Sequence, residues 1–218
     1  WIKRSGVNIN KKIKRIAIAI LCALIPIGAF GFGYFTGGDN IPNKQLANTL
    51  TVEGNIGGTI ANQEVTLENI VPGDTINQSI QFDCTSTAES LIRVKIEPIW
   101  EGDLPSENIE LVYGDGVTVT KTINKGQRGY WYQCDDGYFY YMDSIKSKND
   151  IDLVKGIKFN GGTKSIDANE YQNKNLNITV TMDIIQSKYA PFKTKWSISD
   201  KNLSDELIEL CPESNKDA

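Results

Sequence analysis

The chain has 218 residues, 23 lysines and arginines against 27 aspartates and glutamates, four cysteines and no histidine. The missing histidine excludes Ser-His-Asp triads, histidine general bases and the usual zinc proteases. The scattered cysteines exclude both a disulfide-dense scaffold and a closely spaced zinc or redox motif.

The chain order begins with charge. Lys11, Lys12, Lys14 and Arg15 run straight into an uncharged apolar stretch from Ile16 to Phe35, and no acid appears before Asp39. A basic patch ahead of an apolar segment predicts a secretory signal, and small residues at its end suit a signal peptidase. Cleavage is expected after Gly31-Phe32-Gly33, leaving Tyr34 first. Residues 1–33 are then a helical signal peptide with an upstream extension, and the protein is expected in the extracellular matrix or at the cell surface. The competing reading is a retained anchor, because the stretch approaches the ~20 apolar residues that span a bilayer. Cleavage leaves 17 basic and 27 acidic residues, a net charge of −10. That charge argues against nucleic acid as a partner.

Residues 34–47 form an N-terminal arm, and residues 48–200 are expected to form one β domain. Leu46, Asn48, Leu50 and Val52 alternate with small polar residues, a strand pattern. Val65 and Leu67 alternate before the turn Pro72-Gly73-Asp74. Ile76, Ser79, Ile80 and Phe82 follow in a less regular run. Leu91 to Ile99 reads as a long strand that Pro98 bends or brings to an edge. Ile109, Leu111 and Tyr113 make another, and Gly114-Asp115-Gly116 turns into Val117–Thr120. Gln127–Met142 reads as a hairpin around Asp135-Asp136-Gly137. Leu153–Phe159 is a strand, Ala168–Gln172 a helical turn, and Leu176, Ile178, Val180 and Met182 the clearest alternation of all. Ser204–Leu210 predicts a short helix capped by Ser204, within a polar tail at 201–218. Short strands between Gly, Pro, Asn and Asp turns predict an all-β, antiparallel β-sandwich or barrel.

Three constellations carry possible chemistry. The hairpin holds seven aromatics: Tyr130, Trp131, Tyr132, Tyr138, Phe139, Tyr140 and Tyr141. Exposed rings would stack on matrix polysaccharide or on a second subunit. Strand alternation instead sends about half of them inward, and core packing is the expectation. One disulfide with one free thiol and three free thiols both fit the mature cysteine count. A bridge, where it forms, is expected between Cys84 and Cys134. Asp135, Asp136, Asp143, Asp150 and Asp152 are explained by turns and solvation; no EF-hand loop is present, and no metal or cofactor is expected.

The order of motifs resembles the TasA/camelysin family of secreted biofilm matrix proteins, and within it the clostridial-type BsaA branch. The matching residues are Gly33-Tyr34-Phe35-Thr36-Gly37, Asn48-Thr49-Leu50-Thr51-Val52, Pro72-Gly73-Asp74-Thr75 and Asp183-Ile184-Ile185-Gln186-Ser187. Gly37 stands where the family carries an acid. The resemblance implies processing by a signal peptidase of the SipW type and a jelly-roll β-sandwich. It also implies head-to-tail polymerisation of the protein with itself, and partners among minor fibre subunits. It implies that the arm acts as a donor strand for a neighbour, with Phe35, Ile41 and Leu46 as its apolar side chains. Lys44 in the arm is a candidate for a covalent cross-link between subunits, against the plainer reading of a solvated lysine. Camelysin-like relatives are classed as metallopeptidases, but without a His-Glu-x-x-His helix a structural, non-catalytic subunit is the expectation.

Overall fold

Alternation of apolar and polar residues governs this chain from Asn48 onward, and it folds accordingly. The computed structural model describes residues 48–55, 61–160 and 167–211. The signal, the cleavage residues Gly31, Gly33 and Tyr34, and the arm residues Phe35, Ile41, Lys44 and Leu46 lie outside them. Among the described residues the protein is all-β with short helical elements.

Two sheets carry the structure. In the first, β1 (Asn48–Asn55) lies beside β4 (Gln78–Thr85), and β4 beside β10 (Lys148–Phe159). The two-residue β3 (Thr75–Ile76) continues β4's course along β10, and β6 (Ile109–Tyr113) pairs with β10 on its other side. In the second, β2 (Ala61–Leu67), β11 (Leu176–Gln186), β5 (Ser90–Trp100), β9 (Tyr138–Tyr141), β8 (Trp131–Gln133) and β7 (Val119–Thr120) follow in that order.

The sheets are mixed, which corrects the purely antiparallel expectation. β1 runs parallel to β4 with Asn48 opposite Gln78 and Asn55 opposite Thr85, and β7 runs parallel to β8. The reason for the first pair lies in the chain path. Parallel neighbours need a crossover, and β2 supplies it by joining the other sheet before the chain returns as β3 and β4.

The inner faces share one core. Ile80, Phe82 and Cys84 of β4 and Val52 of β1 meet Val94 and Ile96 of β5 and Leu176, Ile178 and Val180 of β11. β4 from Gln78 to Cys84 and β11 from Leu176 to Asp183 alternate between buried and half-buried residues, the period-two pattern of a strand with one face buried. Each fully buried aliphatic chain here contributes ~1.5–3 kcal/mol relative to exposure. β1 also closes on β11: a methyl group added at Gly54 would stand 2.6 Å from the Met182 side chain and 2.8 Å from that of Ile184.

A second cluster covers the other face of the hairpin sheet. Leu91, Tyr130, Tyr132, Tyr140 and Met142 pack under Phe192, Trp196, Leu203 and Leu207. The last two belong to α2 (Lys201–Glu209), which follows the single turn α1 (Phe192–Lys195). The expected polar tail is therefore a packed helix through Glu209. Its cap is Asp200 and not Ser204: the Asp200 carboxylate accepts from the Asn202 and Leu203 amides.

Candidate functional site: open sheet edges and a capped aromatic face

The aromatic hairpin is where sequence placed it, with Trp131 opposite Tyr141 and Tyr132 opposite Tyr140. Its rings are not a platform. Tyr130, Trp131, Tyr132, Phe139, Tyr140 and Tyr141 are all buried, and Tyr138 is half-buried. Alternation splits them between two cores. Trp131, Phe139 and Tyr141 enter the core between the sheets, while Tyr130, Tyr132 and Tyr140 enter the cluster beneath the C-terminal helices. This corrects the glycan-stacking and subunit-contact alternative for the six buried rings.

Several polar ends of the hairpin rings are tied down, whereas the buried Trp196 Nε1 has no partner among the described residues. Trp131 Nε1 donates to the Asp152 carbonyl at 3.0 Å. The Tyr132 hydroxyl donates to Asp200 at 3.0 Å and that of Tyr140 to Asp136 at 2.7 Å. Burial first, then the neighbouring carboxylate, pushes both phenol pKa values well above the ordinary 10. Tyr138 carries the Arg93 guanidinium at 4.1 Å from its ring centroid, and Arg93 pairs with Asp183 at 3.1 Å.

The three described cysteines are free thiols, which corrects the Cys84–Cys134 pairing. Cys84 points from β4 into the core between the sheets, whereas Cys134 packs with the cluster under the helices. The second sheet stands between those two environments. Burial raises the Cys84 and Cys211 pKa values to about 11.

Sequence reasoning missed Glu206. This buried carboxylate fastens α2 to the loop before β8, accepting from the Gly126 amide at 3.0 Å and from Arg128 at 2.8 Å. Burial opposes its charge, but those two donors, together with the Arg128 and Lys125 charges, outweigh burial and hold its pKa below 4.5.

Gln78 was also missed. It occupies an inward position in the row Ile76, Gln78, Ile80, Phe82 and is 1% exposed. Its Nε2 donates to the Ser79 carbonyl at 3.1 Å, but its Oε1 has no partner among the described residues. An orphaned buried acceptor of this kind costs ~1–3 kcal/mol. The signal for it was a carboxamide at an apolar position of the alternation.

The remaining surface feature is the sheet edges, of which β1 and β2 form one side and β6 and β7 are edges elsewhere among the described strands. Among the described strands β1 pairs only with β4, and β2 only with β11. The two edges lie near one another at one side of the molecule. Val65 of β2 and Leu50 of β1 are apolar but only partly buried there. Unpaired strand edges invite another strand. No group of three or more potential metal ligands occurs among the described residues, and no described helix is long and apolar enough to cross a membrane.

No family model and no curated protein matches the chain. Among solved structures it is similar to the crystal structure of Aeromonas hydrophila PliG, a periplasmic lysozyme inhibitor of g-type lysozyme. The identity is 14%, the match covers 63% of this chain and 97% of that one, and the TM-score is 0.27. At that score the likeness carries no argument about fold or function.

Proposed function

We propose that this chain is a secreted structural subunit of an extracellular biofilm matrix fibre, in which residues 34–47 of one copy add a strand to the next. The reading takes the two sheets as a jelly-roll sandwich and the signal as the substrate of a SipW-type peptidase. It involves no catalytic step.

The observation that supports it most is the position of β1, the first described strand, which pairs on one side only among the described strands. The arm, residues 34–47, carries Asp39 and Lys44 as its charges and spaces Phe35, Ile41 and Leu46 among Gly and Asn. An extended strand of this composition gains main-chain hydrogen bonds on an open edge and fills pockets with alternate side chains. A head-to-tail contact that does not close makes filaments. The glycan-binding alternative has less support, because the rings it needs are enclosed.

Deletion of Tyr34–Ala47 tests the reading. The expected product keeps its β circular dichroism and cooperative melting but forms no fibres in negative-stain micrographs. Leu46→Asp is expected to weaken assembly strongly, since a carboxylate would enter an apolar groove unpaired. Equal fibre yield from intact and deleted protein overturns donor-strand assembly, and an unfolded deletion product shows that the arm pairs within its own subunit.

A further inference from the structure

We propose that residues 191–211 are an exchangeable cap: two copies of the chain swap it about a hinge at Lys188–Ala190, each laying its α1–α2 segment on the aromatic face of the other. The exchange does not involve the N-terminal arm and goes beyond the fibre reading.

Three observations converge on the hinge. The first is its backbone. Tyr189 and Ala190 have φ values of +68° and +43°, and Ser197, just beyond α1, has +50°. None of them is glycine, the residue to which such angles come at little cost. The second is the local sequence. A residue before proline favours extended backbone, and tyrosine favours strands. Tyr189-Ala190-Pro191 is nevertheless folded into a turn, which the Ala190 amide closes by donating to the Ser187 carbonyl at 3.1 Å. Local preference and tertiary structure disagree at this point. The third is the attachment of the cap. Among the described residues, the backbone–backbone hydrogen bonds of 191–211 all close between Ala190 and Cys211. Side chains hold the cap to the sheet: Glu206 with Arg128, Asp200 with Tyr132, and Arg93 on the Trp196 carbonyl.

The same segment of a second copy remakes every one of those contacts. Lifting the cap uncovers Leu91, Tyr130, Tyr132, Tyr140 and Met142, an apolar face that has to be covered again. An identical cap fits it residue for residue. Only the hinge differs in the exchanged pair, where Lys188–Ala190 is extended and the left-handed backbone is relieved. Short hinges under strain invite such exchange, and a reciprocal exchange closes as a two-fold pair. The hinge is placed for it. Tyr189 is 67% exposed, so its ring leaves no packed site when the turn straightens. The base stays fixed, because the Ser187 amide donates to the Glu89 carbonyl at 2.9 Å.

The experiment uses the secreted chain with Thr122→Cys, Asn202→Cys and Cys134→Ser. Residues 122 and 202 line one surface cavity between the loop before β8 and the cap, and both are exposed. A short bis-maleimide therefore joins them within a chain in the closed form and between chains in the exchanged one. The protein is refolded at low and at high concentration, and the products are separated under denaturing conditions. Interchain product is expected to rise with concentration as intrachain product falls. Tyr189→Gly, which relieves the closed hinge, should weaken association ~30-fold, a factor of about five for each of the two hinges. Ala190→Pro, which cannot adopt the closed φ and removes the donor to Ser187, should shift the product towards interchain. Intrachain product alone at every concentration, in the parent and in Tyr189→Gly, overturns the proposal. Interchain product that Tyr189→Gly leaves unchanged overturns it too, by showing ordinary association. The crosslink reads the exchange whether or not fibres form, so either outcome leaves the fibre reading to its own test.

Discussion

Arg93 lies against Trp196, its guanidinium carbon 4.9 Å from the ring centroid and its Nη1 donating to the Trp196 carbonyl at 3.3 Å. The same guanidinium stacks on Tyr138 and pairs with Asp183. One side chain of the middle sheet strand thus joins β9, β11 and the first C-terminal helical turn. A cation held between two rings and one carboxylate is desolvated, which makes each contact worth more than on the surface.

Arg93→Met should therefore destabilise the protein by ~2–4 kcal/mol, because it leaves Asp183 partly buried without its partner. Urea unfolding measures the loss. The double variant Arg93→Met/Asp183→Leu should recover part of it, since no charge is then left unpaired.

The Glu206 carboxylate gives the C-terminal helix an acid dependence. Its folded pKa is lowered, so its contribution to stability is present above the unfolded value near 4.5 and is lost as pH falls through the folded value. The difference in urea midpoint between wild type and Glu206→Gln should be largest near pH 6 and shrink below pH 4.5. A difference that grows on acidification contradicts this assignment.

The tyrosines act at the other end of the scale. Their folded pKa values are raised, so the stability they contribute is full below pH 10 and declines as pH rises above it. In an ultraviolet titration Tyr132 and Tyr140 should ionise only as the protein unfolds. Trp131→Ala should cost ~3–5 kcal/mol as a buried aromatic truncation. Tyr138→Ala should cost less, roughly 1 kcal/mol for a half-exposed ring under a cation.

The thiols should separate by exposure. Cys134 is half-buried, whereas Cys84 and Cys211 are buried with pKa values near 11. A thiol reagent applied to the native protein should modify Cys134 first and the other two only on unfolding. A mass lower by two protons in the unreduced protein would show that a bridge forms after all.

Elements with strict alternation were legible. Leu176 to Met182 and the Asp136-Gly137 turn announce their structures locally, so their strands appear where period and turn chemistry put them. Pairing direction was not legible, because nothing within Asn48–Asn55 records that β2 crosses to the other sheet before β4 arrives. The helix start was missed because Asp200 caps as well as Ser204 does. The spacing of Leu203, Leu207 and Leu210 shows a buried stripe that extends from Asp200's side. Gln78 escapes the sequence pattern for a related reason: the run Ile76, Ser79, Ile80 and Phe82 is irregular, and the inward row of every second residue contains the carboxamide. The burial of the hairpin rings was half legible. Alternation assigns three rings to the inner core, but only the folded C-terminal segment covers the other three.

The parallel course of β1 along β4 determines how a subunit bears mechanical load. In the proposed fibre, tension arrives through the arm at Asn48 and is directed along the axis of β1. The ladder from Asn48–Gln78 to Asn55–Thr85 is then sheared, and its hydrogen bonds resist together. A hairpin pulled from its open end would instead release its bonds one after another. Stretching a tethered subunit from its N-terminus should therefore meet a high rupture force at β1, ahead of any extension of the rest of the domain.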